Sequence, residues 1–315
     1  MTGTPISRRR LLQIGTLSLP IAALSACGKN SPSAGNTLSS EVASFDVVAG
    51  PIPRLMVGLS DKDGNVVTGG SVTFRLRSTA LGVNGQWSSE VPAQYLEIPG
   101  RPTSTRTIPT IGAPSEGVGV YSTGPVTIPG PGFWEVEVDA GKLGKTTTAF
   151  LAQNRAMAAS VGQQAPLTKN PTVDTPNVSP AQLDSSAAGS TALSDLPYPM
   201  LHQHEIASSI AARRSLVVAV VTPAYCTSKF CGPLRDEVAK LASRRSGVAD
   251  FVHLEVFDSD RGQVSAWASE WIASKDSPND ANEPWLFLVN ADGVITHRWD
   301  NVVPMAEVEA ALDKL

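Results

Sequence analysis

Two cysteines five positions apart carry most of the chemistry this sequence offers. They lie in Thr222-Pro223-Ala224-Tyr225-Cys226-Thr227-Ser228-Lys229-Phe230-Cys231-Gly232-Pro233. A continuous apolar run, Leu216 to Val221, precedes them, and Leu234, Val238 and Leu241 follow at helical spacing. The pair therefore stands between a strand and the first turn of a helix. A thiol there meets unpaired backbone N–H groups and the positive end of the helix dipole. Both favour the thiolate, the form that attacks a disulfide. Lys229, between the two, adds positive potential. Two chemistries are open: thiol–disulfide exchange, or a structural disulfide that pins the start of the helix. The chain holds one other cysteine, Cys27, and four histidines, His202, His204, His253 and His297.

The elements around the pair alternate. Met200 to Arg213 reads as a helix, Leu216 to Val221 as a strand buried on both faces, and the stretch from Leu234 as a second helix. Phe251 to Phe257 reads as a strand. Val264, Trp267, Ala268, Trp271 and Ile272 form a helical apolar stripe. Trp285 to Val289 is a buried strand, Asn290-Ala291-Asp292-Gly293 a turn, and Val294 to Trp299 an antiparallel partner. Val308, Leu312 and Leu315 mark a last helix. The order is α-β-α-β-α-β-β-α over residues 200–315.

That order, with a strand leading into a cysteine segment that opens a helix, resembles the thioredoxin superfamily. Pro284, in Asn282-Glu283-Pro284-Trp285, matches that family's cis-proline, which faces the cysteines across the active site. The closest likeness is to thioredoxin-like lipoproteins of actinobacterial type. The resemblance implies an α/β thioredoxin-like fold and a site of Cys226, Cys231 and Pro284, with Cys226 attacking and Cys231 resolving. The sequence departs from the family in two ways. Four residues separate the cysteines instead of two. Val220 stands where thioredoxins keep a buried aspartate. Cys231-Gly232-Pro233-Leu234 can instead be laid over the family's Cys-Gly-Pro-Cys, which leaves open which thiol attacks. Copper chaperones of the Sco type share the fold and add a histidine to two cysteines. None of the four histidines stands at that family position: His253 reads as a half-exposed strand residue, His297 as solvent-facing, and His202 and His204 as pointing to different faces of a helix. The peroxiredoxin signature is absent. No metal site and no cofactor is expected.

Residues 41–152 read as all-β. Pro53–Leu59, Ser71–Leu76, Gly119–Tyr121 and Phe133–Val138 are short apolar segments between turn signals. Val72, Phe74 and Leu76 alternate with Thr73, Arg75 and Arg77, and Trp134, Val136 and Val138 with Glu135, Glu137 and Asp139. The expectation is an immunoglobulin-like β-sandwich. Residues 153–199, with Pro166, Pro171, Pro176 and Pro180 and few apolar residues, read as a linker between the two domains.

The N-terminus reads as an address. Ser7-Arg8-Arg9-Arg10 precedes an apolar run, Leu11 to Leu24, that Gly15 and Pro20 interrupt. This is too short to span a membrane and fits a signal peptide over residues 1–27. The arginines before Leu11-Leu12 resemble a twin-arginine export signal. Leu24-Ser25-Ala26-Cys27 resembles a bacterial lipobox, which implies lipid attachment at Cys27. Residues 28–40 then form a tether. About 290 residues remain, enough for two domains. Net charge is −4 with no basic stripe, which excludes a nucleic-acid partner. The expectation is a protein on the outer face of the cell membrane, held by its lipid anchor. Its partners would be exported protein clients and a redox partner.

Overall fold

The computed structural model describes residues 38–79, 85–101, 104–112, 118–226, 228–258, 262–274 and 277–315. Cys27 and the expected signal peptide over residues 1–27 lie outside the described residues. Strand outweighs helix in the molecule. No helix among the described residues is long and apolar enough to cross a membrane.

The first half is built from β1 (Leu38–Val42), β2 (Gly50–Ile52), β3 (Met56–Asp61), β4 (Val66–Thr68), β5 (Ser71–Ser78), β6 (Val91–Glu97), β7 (Thr110–Gly112), β8 (Gly119–Thr123), β9 (Val126–Ile128), β10 (Gly132–Asp139) and β11 (Lys145–Ala152). The alternation read in the sequence does what a pleated strand requires. Val72, Phe74, Leu76, Trp134, Val136 and Val138 are buried in one core with Leu55, Val57, Tyr121 and Phe150. On the opposite face, Arg75 pairs with Glu137 and Arg77 with Glu135 across β5 and β10. The ladders differ from the two separate sheets of a sandwich. They run as one antiparallel path, β11-β10-β5-β6-β8-β3-β4-β7, with β1 paired to β3, beside a small β2-β9 ribbon. The connection is β6, which pairs with β5 on one side and β8 on the other.

The second half is α/β. It comprises α1 (Pro180–Leu183), α2 (Ile206–Ala211), β12 (Leu216–Val221), α3 (Cys231–Arg245), β13 (Asp250–Glu255), α4 (Ala266–Ile272), β14 (Ala273–Ser274), β15 (Ser277–Ala281), β16 (Trp285–Val289), β17 (Ile295–Asp300) and α5 (Met305–Leu312). The sheet order is β13-β12-β16-β17, with β12 parallel to β13 and antiparallel to β16. Every residue of β12, β13 and β16 is buried. Two apolar layers explain this. Val217, Ala219 and Val221 face a core with α3 and α5, and Val218 and Val220 face one with Trp271 and Phe287. The helix expected over Met200 to Arg213 is instead a 3-10 turn, Pro199–His202, followed by the short α2.

Residues 153–199 also differ from a linker. Ala158 and Ala165 enter the second of those cores, and Leu183, Ala187 and Leu196 form a small cluster of their own. Asp184, Ser185, Thr168 and Asn170 are buried. The stretch folds along the α/β part by polar anchoring. Ile206 N–H donates to Asn170, and Trp271 Nε1–H to Thr168. Such anchors leave little hydrophobic signal in a sequence.

The two halves are fastened together. Met56, Ile98 and Val120 of the β part pack with Phe230 and Val302 of the α/β part. Arg298 and the N–H groups of Met157 and Ala158 donate to the buried carboxylate of Asp46. Phe45 N–H donates to Asp300, and Asn301 to the Ala43 carbonyl. Arg54 pairs with Glu307.

Candidate functional site

The cysteines meet where β12 ends and α3 begins. Cys226 and Cys231 form a disulfide with their Cα atoms 6.0 Å apart. Cys231 is the first residue of α3 and is fully buried, whereas Cys226 is half-buried and packs against the same core. The Cys231 N–H, one of the unpaired donors of the first helical turn, points at Cys226 Sγ at 3.3 Å. That N–H and the helix dipole act on Cys226 even though it lies outside the helix. Lys229 is exposed and takes a left-handed backbone, φ 64°. This twist lets the chain turn into the helix while the next residue, Phe230, enters the core between the halves.

The Glu283–Pro284 peptide is cis. Ser228 ties this segment to the cysteines: its Oγ lies 3.3 Å from Cys226 Sγ and donates to the Glu283 carbonyl at 3.5 Å. Sequence reasoning passed over Ser228, since a serine in a loop carries no pattern.

Val220 is buried with no acid at its place, but an acid stands one strand away. Glu255 ends β13 in register with Val221. It is fully buried, accepts the Ser185 N–H at 2.7 Å, and burial pushes its pKa up to about 7. Hydrogen bonds from Thr222 and Ser185 act against that rise. Ser185 Oγ in turn accepts the Ala224 N–H at 3.1 Å, so a polar chain runs from Glu255 to the backbone of the cysteine segment.

His253, expected half-exposed, is fully buried two residues before Glu255. β13 has helices and the 153–199 stretch on its faces, so alternation along it gives no wet side. Nε2 of His253 lies 3.2 Å from the Val221 carbonyl and Nδ1 lies 3.6 Å from Asp184 Oδ2. His202 is buried beside it, ring centroids 5.0 Å apart. Burial, followed by the neighbouring His253, lowers the His202 pKa to about 3, and burial lowers His253 as well. Burial opposes ionisation of Asp184. The His253 ring, the Ser186 donors and the Arg235 guanidinium outweigh it and hold the carboxyl below its usual value. His204 is outside this group, near Asp250, and His297 lies flat on Trp299. The structure thus brings Cys226, Cys231 and Pro284 into one neighbourhood. It adds Ser228, Glu255 and the Asp184–His202–His253 group below. No family model matches this chain, and no curated protein matches it.

Proposed function

We propose that this chain is a thiol–disulfide oxidoreductase acting on exported proteins, with a thioredoxin-like domain following an all-β domain and a lipid anchor at Cys27. The observation that carries the reading is the Cys226–Cys231 disulfide at the start of α3, joined through Ser228 to the cis Glu283–Pro284 segment. The element order α2-β12-α3-β13-α4-β16-β17-α5, interrupted only by the β14–β15 hairpin, supports the fold assignment.

The chemistry balances as an exchange. In the reduced protein the Cys226 thiolate attacks one sulfur of a client disulfide, and the client's other sulfur leaves as a thiolate. Cys231, once deprotonated, attacks the mixed disulfide at Cys226. The client departs as a dithiol and the Cys226–Cys231 bond re-forms. Run backwards, the same steps oxidise a client dithiol. The difference in burial supports this assignment of roles, because only Cys226 has an edge open to a second chain. A second reading, a tethered binding module with a structural disulfide, is favoured by the burial of Phe230, which fastens the cysteine loop.

Trapping separates the two. With exported proteins, Cys231→Ser is expected to accumulate mixed disulfides through Cys226, and Cys226→Ser is not. A pair with a potential far below the glutathione range, no mixed disulfide with either variant and no reduction of insulin overturns the redox reading. Incorporation of labelled lipid, lost in Cys27→Ser, tests the anchor.

A further inference from the structure

Beneath the cysteine segment, three side chains from three separate stretches converge. Asp184 follows α1, His202 ends the 3-10 turn before α2, and His253 lies in the middle of β13. Each is at most 3% exposed. One oxygen of Asp184 and one nitrogen of each ring all lie within 4.8 Å of one another. A four-coordinate zinc with bonds of about 2.0–2.1 Å holds its ligand atoms about 3.3 Å apart, so these atoms need close by an ångström or so.

Two features point to a ligand rather than to a self-satisfied polar cluster. Neither nitrogen of His202 has a hydrogen-bond partner, and neither does Nδ1 of His253, although all three atoms are buried. Orphaned buried nitrogens are costly, and a bound cation satisfies them. The surroundings also have the order of a metal site's outer layer. Nε2–H of His253 donates to the Val221 carbonyl, which fixes the tautomer and turns the bare lone pair of Nδ1 toward Asp184. Asp184 is held by Ser186 and by Arg235, and Tyr198 covers Arg235 from outside. Among the described residues, the charged or titratable groups facing the site are Arg235, Glu255, Asp184 and the two rings.

We propose that Asp184, His202 and His253 form a buried site for one divalent transition-metal ion of the zinc class. Two imidazoles and one carboxylate suit zinc and not the all-oxygen shells of calcium or magnesium. The fourth position falls to water. A metal there clamps the 153–199 stretch and the turn before α2 onto β13. Its role is structural, and the proposal stands whether or not the cysteines exchange disulfides.

The test uses the purified full chain. Metal analysis is expected to find one zinc per chain after dialysis. After removal with a chelator, added zinc chloride is expected to raise the melting temperature by about 5 °C or more. His202→Ala and His253→Ala each abolish that shift, and His204→Ala, outside the cluster, keeps it. Because the variants risk misfolding, X-ray absorption on the zinc-loaded wild type gives an independent answer. A shell of nitrogen and oxygen with two imidazoles supports the site, whereas sulfur in the shell places the metal on the cysteines and overturns it. A wild type that retains no metal and melts at the same temperature with and without zinc also overturns it.

Discussion

At the scale of single residues, the two cysteines are unequal, and the inequality has a measurable form. Cys231 is fully buried as the first residue of α3, and Cys226 is half-buried beside Ser228. After mild reduction, iodoacetamide is expected to label Cys226 at least about tenfold faster than Cys231, since access and thiolate character both favour it. Peptide mapping by mass spectrometry reads the ratio, and equal labelling contradicts it. How far these residues were legible depends on what each leaves in a sequence. The Cys226–Cys231 pair was legible because cysteine is rare in this chain and its place between a strand and a helix is patterned. Ser228, Asp184 and Ser185 were not, because small polar residues in irregular segments look alike until tertiary folding chooses among them. His253 was misread for a different reason: a strand covered on both faces buries its polar residues along with the rest.

At the scale of elements, apolar period was a sound guide. The β12 run, the α3 and α4 stripes and the alternation of β5 and β10 all became the elements they suggest. It failed over residues 153–199, which dock through hydrogen bonds and a few small apolar groups. That stretch supplies Asp184 to the histidine group and Ser185 to Glu255. Replacing residues 170–190 by a Gly/Ser segment of equal length is therefore expected to cost several kcal/mol, because buried polar partners are left unpaired at about 1–3 kcal/mol each. Urea unfolding checks this; a midpoint unchanged from the wild type would show that the stretch is only a tether. Within α3, Leu234→Ala is expected to cost about 2–5 kcal/mol, since Leu234 is completely buried.

At the scale of the whole molecule, the two halves share a core, a buried carboxylate and an ion pair. A single calorimetric unfolding transition is expected for the intact chain, and two well-separated transitions would contradict it. The contributions are unequal. Arg54→Ala removes a pair whose Glu307 side chain is half exposed, so its effect is expected to stay within about 1 kcal/mol. Phe230→Ala empties a place in the shared core and is expected to cost about 3–5 kcal/mol. The same variant is expected to speed reduction of the Cys226–Cys231 bond by dithiothreitol, because the loop loses its fastening.

Phe230 also makes the length of the cysteine loop a property of the entire assembly. The four residues between the cysteines include the one that reaches into the β part. A graft that shortens the spacer to two residues removes that plug along with the surplus length. Spacer length and the joint between the halves are therefore inherited together: a chain that adopts the shorter loop must find another way to hold its β part.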